Sequence, residues 1–296
     1  MVNLYINQDK NIQKTWIFLT MFFVLIIFLG WFCSIILDDP NIILIAFVFA
    51  ISLNFYSYWF SDRVILRLHK AKPATREQNF ELWNITENLA ITAGLPMPKI
   101  YIIEDESPNA FATGRNKDNA VVAVTTGLLA ILDKSELEGV IAHELAHIGN
   151  KDMLLSTMIV VMVGFISLIS EFLLRVVQYT GIGDDKDTRK GLLIVIIFLA
   201  IISPIVAFFI QMVVSRKREF LADATGAMLT RYPEGLANAL KKISTYSQPL
   251  KTANDVTAHL FISNPFTSKK ISGFHKLFLT HPPVEERISA LMGTKI

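Results

Sequence analysis

The sequence predicts an α-helical integral membrane protein whose polar segments build a mainly α, α+β domain around a small sheet with an edge strand. Three observations carry this. Of the 296 residues, 52% are hydrophobic and 18% charged, whereas a soluble globular chain is nearer a quarter charged. Mean hydropathy is +0.44. The apolar surplus is gathered into four runs, 15–37, 41–60, 153–174 and 192–214, each about the twenty residues that span a bilayer core. The polar remainder falls into two blocks, 61–152 and 215–296. The expected organisation is therefore an N-terminal hairpin (1–60), a first polar part (61–152), a second hairpin (153–214) and a second polar part (215–296).

Taken in order, the first run is too long for a cleavable signal peptide, lacks a small-residue cleavage site and is followed at once by a second span. Asp38-Asp39-Pro40 turns the chain between the two. Lys10 and Lys14 precede the first helix, and Arg63, Arg67, Lys70, Lys72 and Arg76 follow the second. Basic residues stay on the cytoplasmic side, so both termini and the polar blocks are expected there. Thr75 and Gln78 suggest a capping box for a helix with a Phe80, Trp83, Ile85, Leu89 stripe, stopped at Gly94-Leu95-Pro96. Lys99–Ile103 and Ala120–Thr125 read as strands, and Ser107–Gly114 as an exposed edge strand entering a turn. Ser135 with Glu138 predicts the start of the next helix. After the fourth run, helices are expected on from 215 and through Glu234–Ser244, a loop at Phe261–Ser268, and a last helix over Val284–Met292. The formal charge of +2 points to no nucleic-acid partner, and Arg216-Lys217-Arg218, next to a span, reads as a headgroup anchor. Cys33 is the single cysteine, which excludes an internal disulfide and a thiolate metal cage.

The chemistry is carried by His143-Glu144-Leu145-Ala146-His147. Two histidines four residues apart share one helix face, so their imidazoles can converge on one ion. The glutamate between them is turned aside, within reach of a water but not a ligand. This is the HExxH zinc-hydrolase arrangement, set among aliphatic residues where unpartnered polar groups would be costly. A catalytic zinc needs a third protein ligand, and no histidine follows His147 closely. Glu219, with Asp223 one turn on, is the best candidate; Asp223 would then orient a liganding imidazole. The plain alternative is an amphipathic helix with Glu219 paired to a nearby base.

Together with Ser215-Arg216-x-Arg218 ahead of Glu219, with Asn109-Ala110-Phe111-Ala112-x-Gly114 and with Thr280-His281-Pro282-Pro283-x-x-x-Arg287, these residues resemble the bacterial HtpX-type membrane zinc metalloproteases. Those are gluzincins, relatives of the eukaryotic CAAX prenyl protease. The likeness extends over nearly the whole chain and has no departure at the metal or base positions. It implies a zincin-like catalytic domain, one Zn2+ per chain held by His143, His147 and Glu219, and Glu144 as catalytic base. It also implies a multi-pass protein of the bacterial inner membrane, cleaving damaged or misfolded membrane proteins at the cytoplasmic face in quality control and stress response.

Two weaker expectations concern substrate. Asn109 to Ala112 offer backbone groups and an amide to an extended peptide, against an ordinary turn. His281 or Arg287 offers a donor to the oxyanion, against a structural ion pair. His69, His259 and His275 show no partner pattern and read as surface residues. If the ligand helices run straight on from the spans, the metal lies within roughly 10 Å of the bilayer at 1.5 Å per residue. A rival class is a non-catalytic scaffold or metal sensor with a closed structural zinc site, using His281 or Asp223 as fourth ligand. A transporter is disfavoured because the apolar runs hold almost no ionisable groups beyond Glu171 and Arg175.

Overall fold

The first two apolar runs form α1 (Leu4–Leu37) and α2 (Asn41–Leu68), in a computed structural model that describes residues 4–180, 216–246, 248–253, 257–266 and 282–293. Both are long and apolar enough to cross a membrane. Asp39 caps the start of α2 through the backbone N–H of Asn41, 2.9 Å from Oδ1. Trp16, Val24, Phe28, Trp31, Leu44, Ile45 and Phe55 face outward, as lipid-facing residues would, with no apolar partner needed from the protein.

The third run begins α6 (Met153–Thr180), which packs Leu155, Met158, Ile159 and Met162 against Phe18 and Phe22 of α1 and Leu53 of α2. The fourth run, 192–214, and the junction leading to residue 216 lie outside the described residues.

Between α2 and α6 the chain builds a four-stranded sheet in the order β1-β2-β4-β3. The strands are β1 (Lys72–Pro73), β2 (Lys99–Ile103), β3 (Ala110–Gly114) and β4 (Ala120–Thr125). β2 and β4 are parallel, and β3 runs antiparallel to β4 with Ala112 opposite Val122. Period-two alternation divides the side chains between two cores. Ala110, Ala112, Val122 and Val124 face the helices α3 (Phe80–Thr92) and α5 (Lys134–Asn150), the short α4 (Thr126–Ile131) following β4. Phe111, Val121 and Ala123 face Ile65 and Leu66 of α2 and Val160 of α6. The sheet is thus held between the ends of the membrane helices and the helix that carries HExxH.

β3 is an edge strand, as expected, but it is buried along its length. Its free side is covered at Ala110, whose carbonyl accepts the N–H of Ile262 at 2.9 Å.

Two helix starts differ from expectation. α5 is capped by Asp133 and Glu136, a complete capping box two residues upstream of Ser135 and Glu138. Glu136 also receives Lys242 Nζ at 2.6 Å, and this contact from the helix Pro233–Thr245 (α8) favours the earlier register. α3 starts after Asn79 without a side-chain cap. It buries Leu82, Ile85, Thr86, Leu89 and Ala90, while Phe80 is 60% exposed.

After the fourth run come α7 (Arg216–Thr230), α8 and, near the C-terminus, α9 (Val284–Leu291). α7 and α8 lie against α5 at two glycines. A Cβ on Gly226 would stand 3.0 Å from the backbone N of His143, and one on Gly139 would stand 2.6 Å from that of Leu236. Without a side chain the backbones can approach.

Candidate metal centre

α5 ends at an elbow. Lys151 takes a left-handed conformation (φ 56°), and α6 leaves at 86° to α5. The HExxH helix therefore does not run straight into the third apolar run. The turn swings Asp152 back under His147, where its carboxylate lies 3.1 Å from Nδ1. Asn11 of α1 donates to the carbonyl of Asn150 at 3.0 Å, tying the same corner to the first membrane helix.

His143 and His147 turn their Nε2 atoms toward each other at 3.1 Å. Glu219 of α7 closes the third side, its carboxylate oxygens 3.9 Å from His143 Nε2 and 3.7 Å from His147 Nε2. Atoms bound at 2.0–2.1 Å to a tetrahedral ion stand roughly 3.3 Å apart, so the three groups converge at a spacing that a zinc-sized ion fits with small adjustments. They form the one metal-competent cluster among the described residues.

The far nitrogens are also engaged. His143 Nδ1 lies 2.9 Å from Asp223 Oδ1. Asp223 sits one turn beyond Glu219, so a single helix brings both carboxylates, one to each end of the His143 ring. Arg287 of α9 then grips Asp223 through Nε at 2.8 Å and Nη2 at 2.6 Å. Its Nη1 donates to the carbonyl of Ile262 at 2.9 Å. The guanidinium is 1% exposed, and its Nη1 lies 3.8 Å from Glu219. Of the two expectations for Arg287, the structure displays the ion pair with Asp223.

Asn109 is likewise engaged within the protein. Its amide donates to Ser263 O at 3.0 Å, and its Oδ1 accepts from the N–H of Ala110. That side chain braces the covered edge of β3 and is not free for a peptide. His281 and His275 lie outside the described residues. His69 and His259 are buried, not superficial. His69 bonds Thr252 at 2.8 Å and packs against Phe111 and Phe261, and His259 lies 3.2 Å from the carbonyl of Ser156.

Glu144 is buried beside this cluster but belongs to none of the three converging groups. Burial pushes its carboxyl up to about 7, with Glu219 adding to the rise and His147, Arg287 and the N–H of Ala112 opposing it. Burial holds His143 below its ordinary value despite Asp223, which favours the neutral ligand form. For His147 burial acts downward, yet Asp152, Glu219 and Glu144 outweigh it and raise the imidazole to about 10.

The charges explain the raised His147. Four carboxylates, Glu144, Asp152, Glu219 and Asp223, face two guanidiniums, Arg218 and Arg287. With Glu144 ionised the surplus is two negative charges, and it draws a proton onto His147; a divalent cation at the same point would balance it instead. Two imidazoles, a carboxylate and this surplus suit zinc. Asp223 cannot serve as a fourth ligand in this arrangement, since it contacts Nδ1, at the end of the His143 ring away from the convergence point.

Asp152 was not legible as a partner in the sequence. The one signal is a carboxylate five residues after His147, beyond Gly149-Asn150, at a break whose direction depends on Lys151.

Residues 76–295 match the family model for Peptidase family M48. A protease HtpX homolog from Dictyoglomus turgidum is 46% identical over 284 residues, covering 96% of this chain and 92% of that protein. One from Thermoanaerobacter pseudethanolicus is 43% identical, covering 97% of each. The crystal structure of S. mikatae Ste24p superposes with a TM-score of 0.53 at 18% identity, covering 98% of this chain and 67% of that one.

Proposed function

Since the chain belongs to peptidase family M48, we propose that it is a zinc-dependent endopeptidase of the bacterial inner membrane that cleaves damaged or misfolded membrane proteins at the cytoplasmic face. That it is a metallopeptidase with membrane-crossing helices follows from the family and from α1 and α2. The identity of the metal, the side of cleavage and the substrates are the proposal.

The observation that carries it is the separation of roles within one helix turn. His143 and His147 meet Glu219, while Glu144, between them in sequence, stays out of the triplet and holds a carboxyl lifted to about 7. A zinc at the triplet supplies water acidified to about pKa 7 and an electrophile for the peptide carbonyl. Glu144 takes the proton of the attacking water and passes it to the leaving amine nitrogen. Asp223 and Asp152 accept from the Nδ1–H of His143 and His147, so each ring presents the lone pair of Nε2. Arg287 keeps Asp223 ionised, since it offsets the burial that would otherwise neutralise it.

Position supports membrane-embedded substrates. The elbow at Lys151 leaves His147 next to Asp152, the residue before α6, and β3 is bonded to that helix through Thr113 and Thr157 at 3.0 Å. The basic residues after α2 argue for a cytoplasmic site.

The test pairs zinc content with cleavage of a membrane-protein substrate in wild type, Glu144→Gln and Glu219→Ala. Glu144→Gln is expected to keep zinc and lose cleavage, and Glu219→Ala to lose both. Undiminished cleavage by Glu144→Gln would refute the assignment.

A further inference from the structure

Within α2, where the second apolar run ends, Tyr56, Tyr58, Trp59 and Phe60 make an aromatic collar of the kind that settles at headgroup depth. Two guanidiniums rest on it. Arg115, from the turn after β3, lies 4.3 Å from the Trp59 ring centre. Arg63 lies 5.2 Å from that of Phe60. Trp59 and Arg63 are one helical turn apart, so both cations flank the same stretch of α2.

Neither cation has a carboxylate partner among the described residues, although Asp62 and Asp118 are close in sequence. Basic residues farther along the chain do find acids: Lys72 pairs with Glu104 at 2.7 Å and Arg76 with Glu87 at 3.6 Å. A guanidinium set against an aromatic ring and paired with no carboxylate keeps N–H donors for another acceptor, and those donors match phosphate oxygens in pairs.

The position of Arg115 gives this consequence. It follows Gly114, the last residue of β3. One residue before Gly114, Thr113 is bonded to Thr157 of α6, and the N–H of Ala112 reaches Glu144.

We propose that Arg63 and Arg115 form a binding site for the phosphate of an anionic phospholipid headgroup, and that its occupancy steadies β3 beside Glu144. The reading of a membrane peptidase underlies the second half of this statement. Each basic contact at a membrane surface is worth about fivefold in affinity.

The full chain, reconstituted in vesicles, tests it with brominated phosphatidylglycerol against brominated phosphatidylcholine at equal mole fraction. The Trp59 contribution is obtained by difference with Trp59→Phe. Quenching is expected to favour phosphatidylglycerol about fivefold or more, and Arg63→Ala/Arg115→Ala is expected to abolish the preference. In the same vesicles phosphatidylglycerol raises cleavage severalfold in wild type and not in the double variant. If the double variant misfolds, Arg63→Gln, on the helix surface, must still weaken the preference.

Equal quenching by both lipids, or a preference that survives these substitutions, overturns the site. Inorganic phosphate raising activity equally in phosphatidylcholine vesicles overturns the lipid as its source. A lipid preference without cleavage in any vesicle leaves the site standing and refutes the peptidase reading instead.

Discussion

Asp152 and His147 join across the elbow between α5 and α6, with the carboxylate 3.1 Å from Nδ1 of the imidazole. This contact links the geometry of a metal-competent residue to the direction in which α6 departs. Replacing Asp152 with Asn keeps the volume but weakens both the charge and the orientation it imposes. Zinc affinity is expected to fall about 10–100-fold, as read by competition with a chelator. Unchanged affinity would mean that the elbow serves folding alone.

The raised His147 predicts proton release. Near pH 7 the metal-free imidazole is protonated, because its value stands at about 10, so zinc uptake expels about one proton. Calorimetry in buffers of differing ionisation heat measures this, and zero release would contradict the charge balance described above. For the metal-free fold the sign is that of a raised histidine. Its contribution to stability is complete below 6.5 and is lost as pH rises through about 10.

Glu144 predicts the acid limb of activity. Only the ionised carboxylate accepts a proton, and burial lifts the group to about 7. Activity therefore declines as pH falls through that region, and a neighbouring divalent cation shifts the decline to lower pH. A kcat/KM profile that stays flat from about pH 5 to 8 would exclude Glu144 as the base.

Arg287 predicts a stability effect larger than its distance from the converging ligand atoms would suggest. Removing it leaves the buried Asp223 without its guanidinium and with only the His143 ring as partner, at a cost of about 3–5 kcal/mol. Chemical denaturation of Arg287→Ala reads this directly. Asp223→Asn/Arg287→Ala should lose less than the sum of the single variants, since the two residues form one unit.

Gly226 predicts that a methyl group can disturb the centre from behind. Its Cβ would press to 3.0 Å on the His143 backbone. Gly226→Ala is expected to cost about 1–3 kcal/mol and to reduce zinc affinity as α7 carries Glu219 away. Gly164→Ala, with open space around it, serves as the neutral control.

Local patterns made a large part of this protein legible. The extents of β2 and β4 follow from runs of β-branched residues, and the existence of α1 and α2 from uninterrupted apolar length, although α1 starts eleven residues before the first run and α2 continues eight past the second. The four-residue spacing of His143 and His147, like that of Glu219 and Asp223, is a property of one helix turn and needs no partner to be recognised. The capping boxes were harder, because two overlapping acid patterns compete before α5 and only the Lys242 contact from α8 favours the upstream one.

Long-range contacts decided the rest. Sequence motifs leave Arg287 and Asn109 open between substrate contact and structural bonding, because the partners that engage them lie 64 and 154 residues away. The buried state of His69 depends on Thr252 and Phe261, which sequence distance conceals.

By itself the sequence determined the apolar helices α1 and α2, the strands β2, β3 and β4 and which side chains could meet a metal, since these depend on periodicity and length along one segment. Only the tertiary structure decided that Glu219 reaches the two histidines, that Asp152 turns back to His147 and that Arg287 stands behind Asp223. Those contacts depend on where Gly226 lets α7 settle on α5 and on the sign of one backbone angle at Lys151. Such choices are made by packing, after the helices have formed.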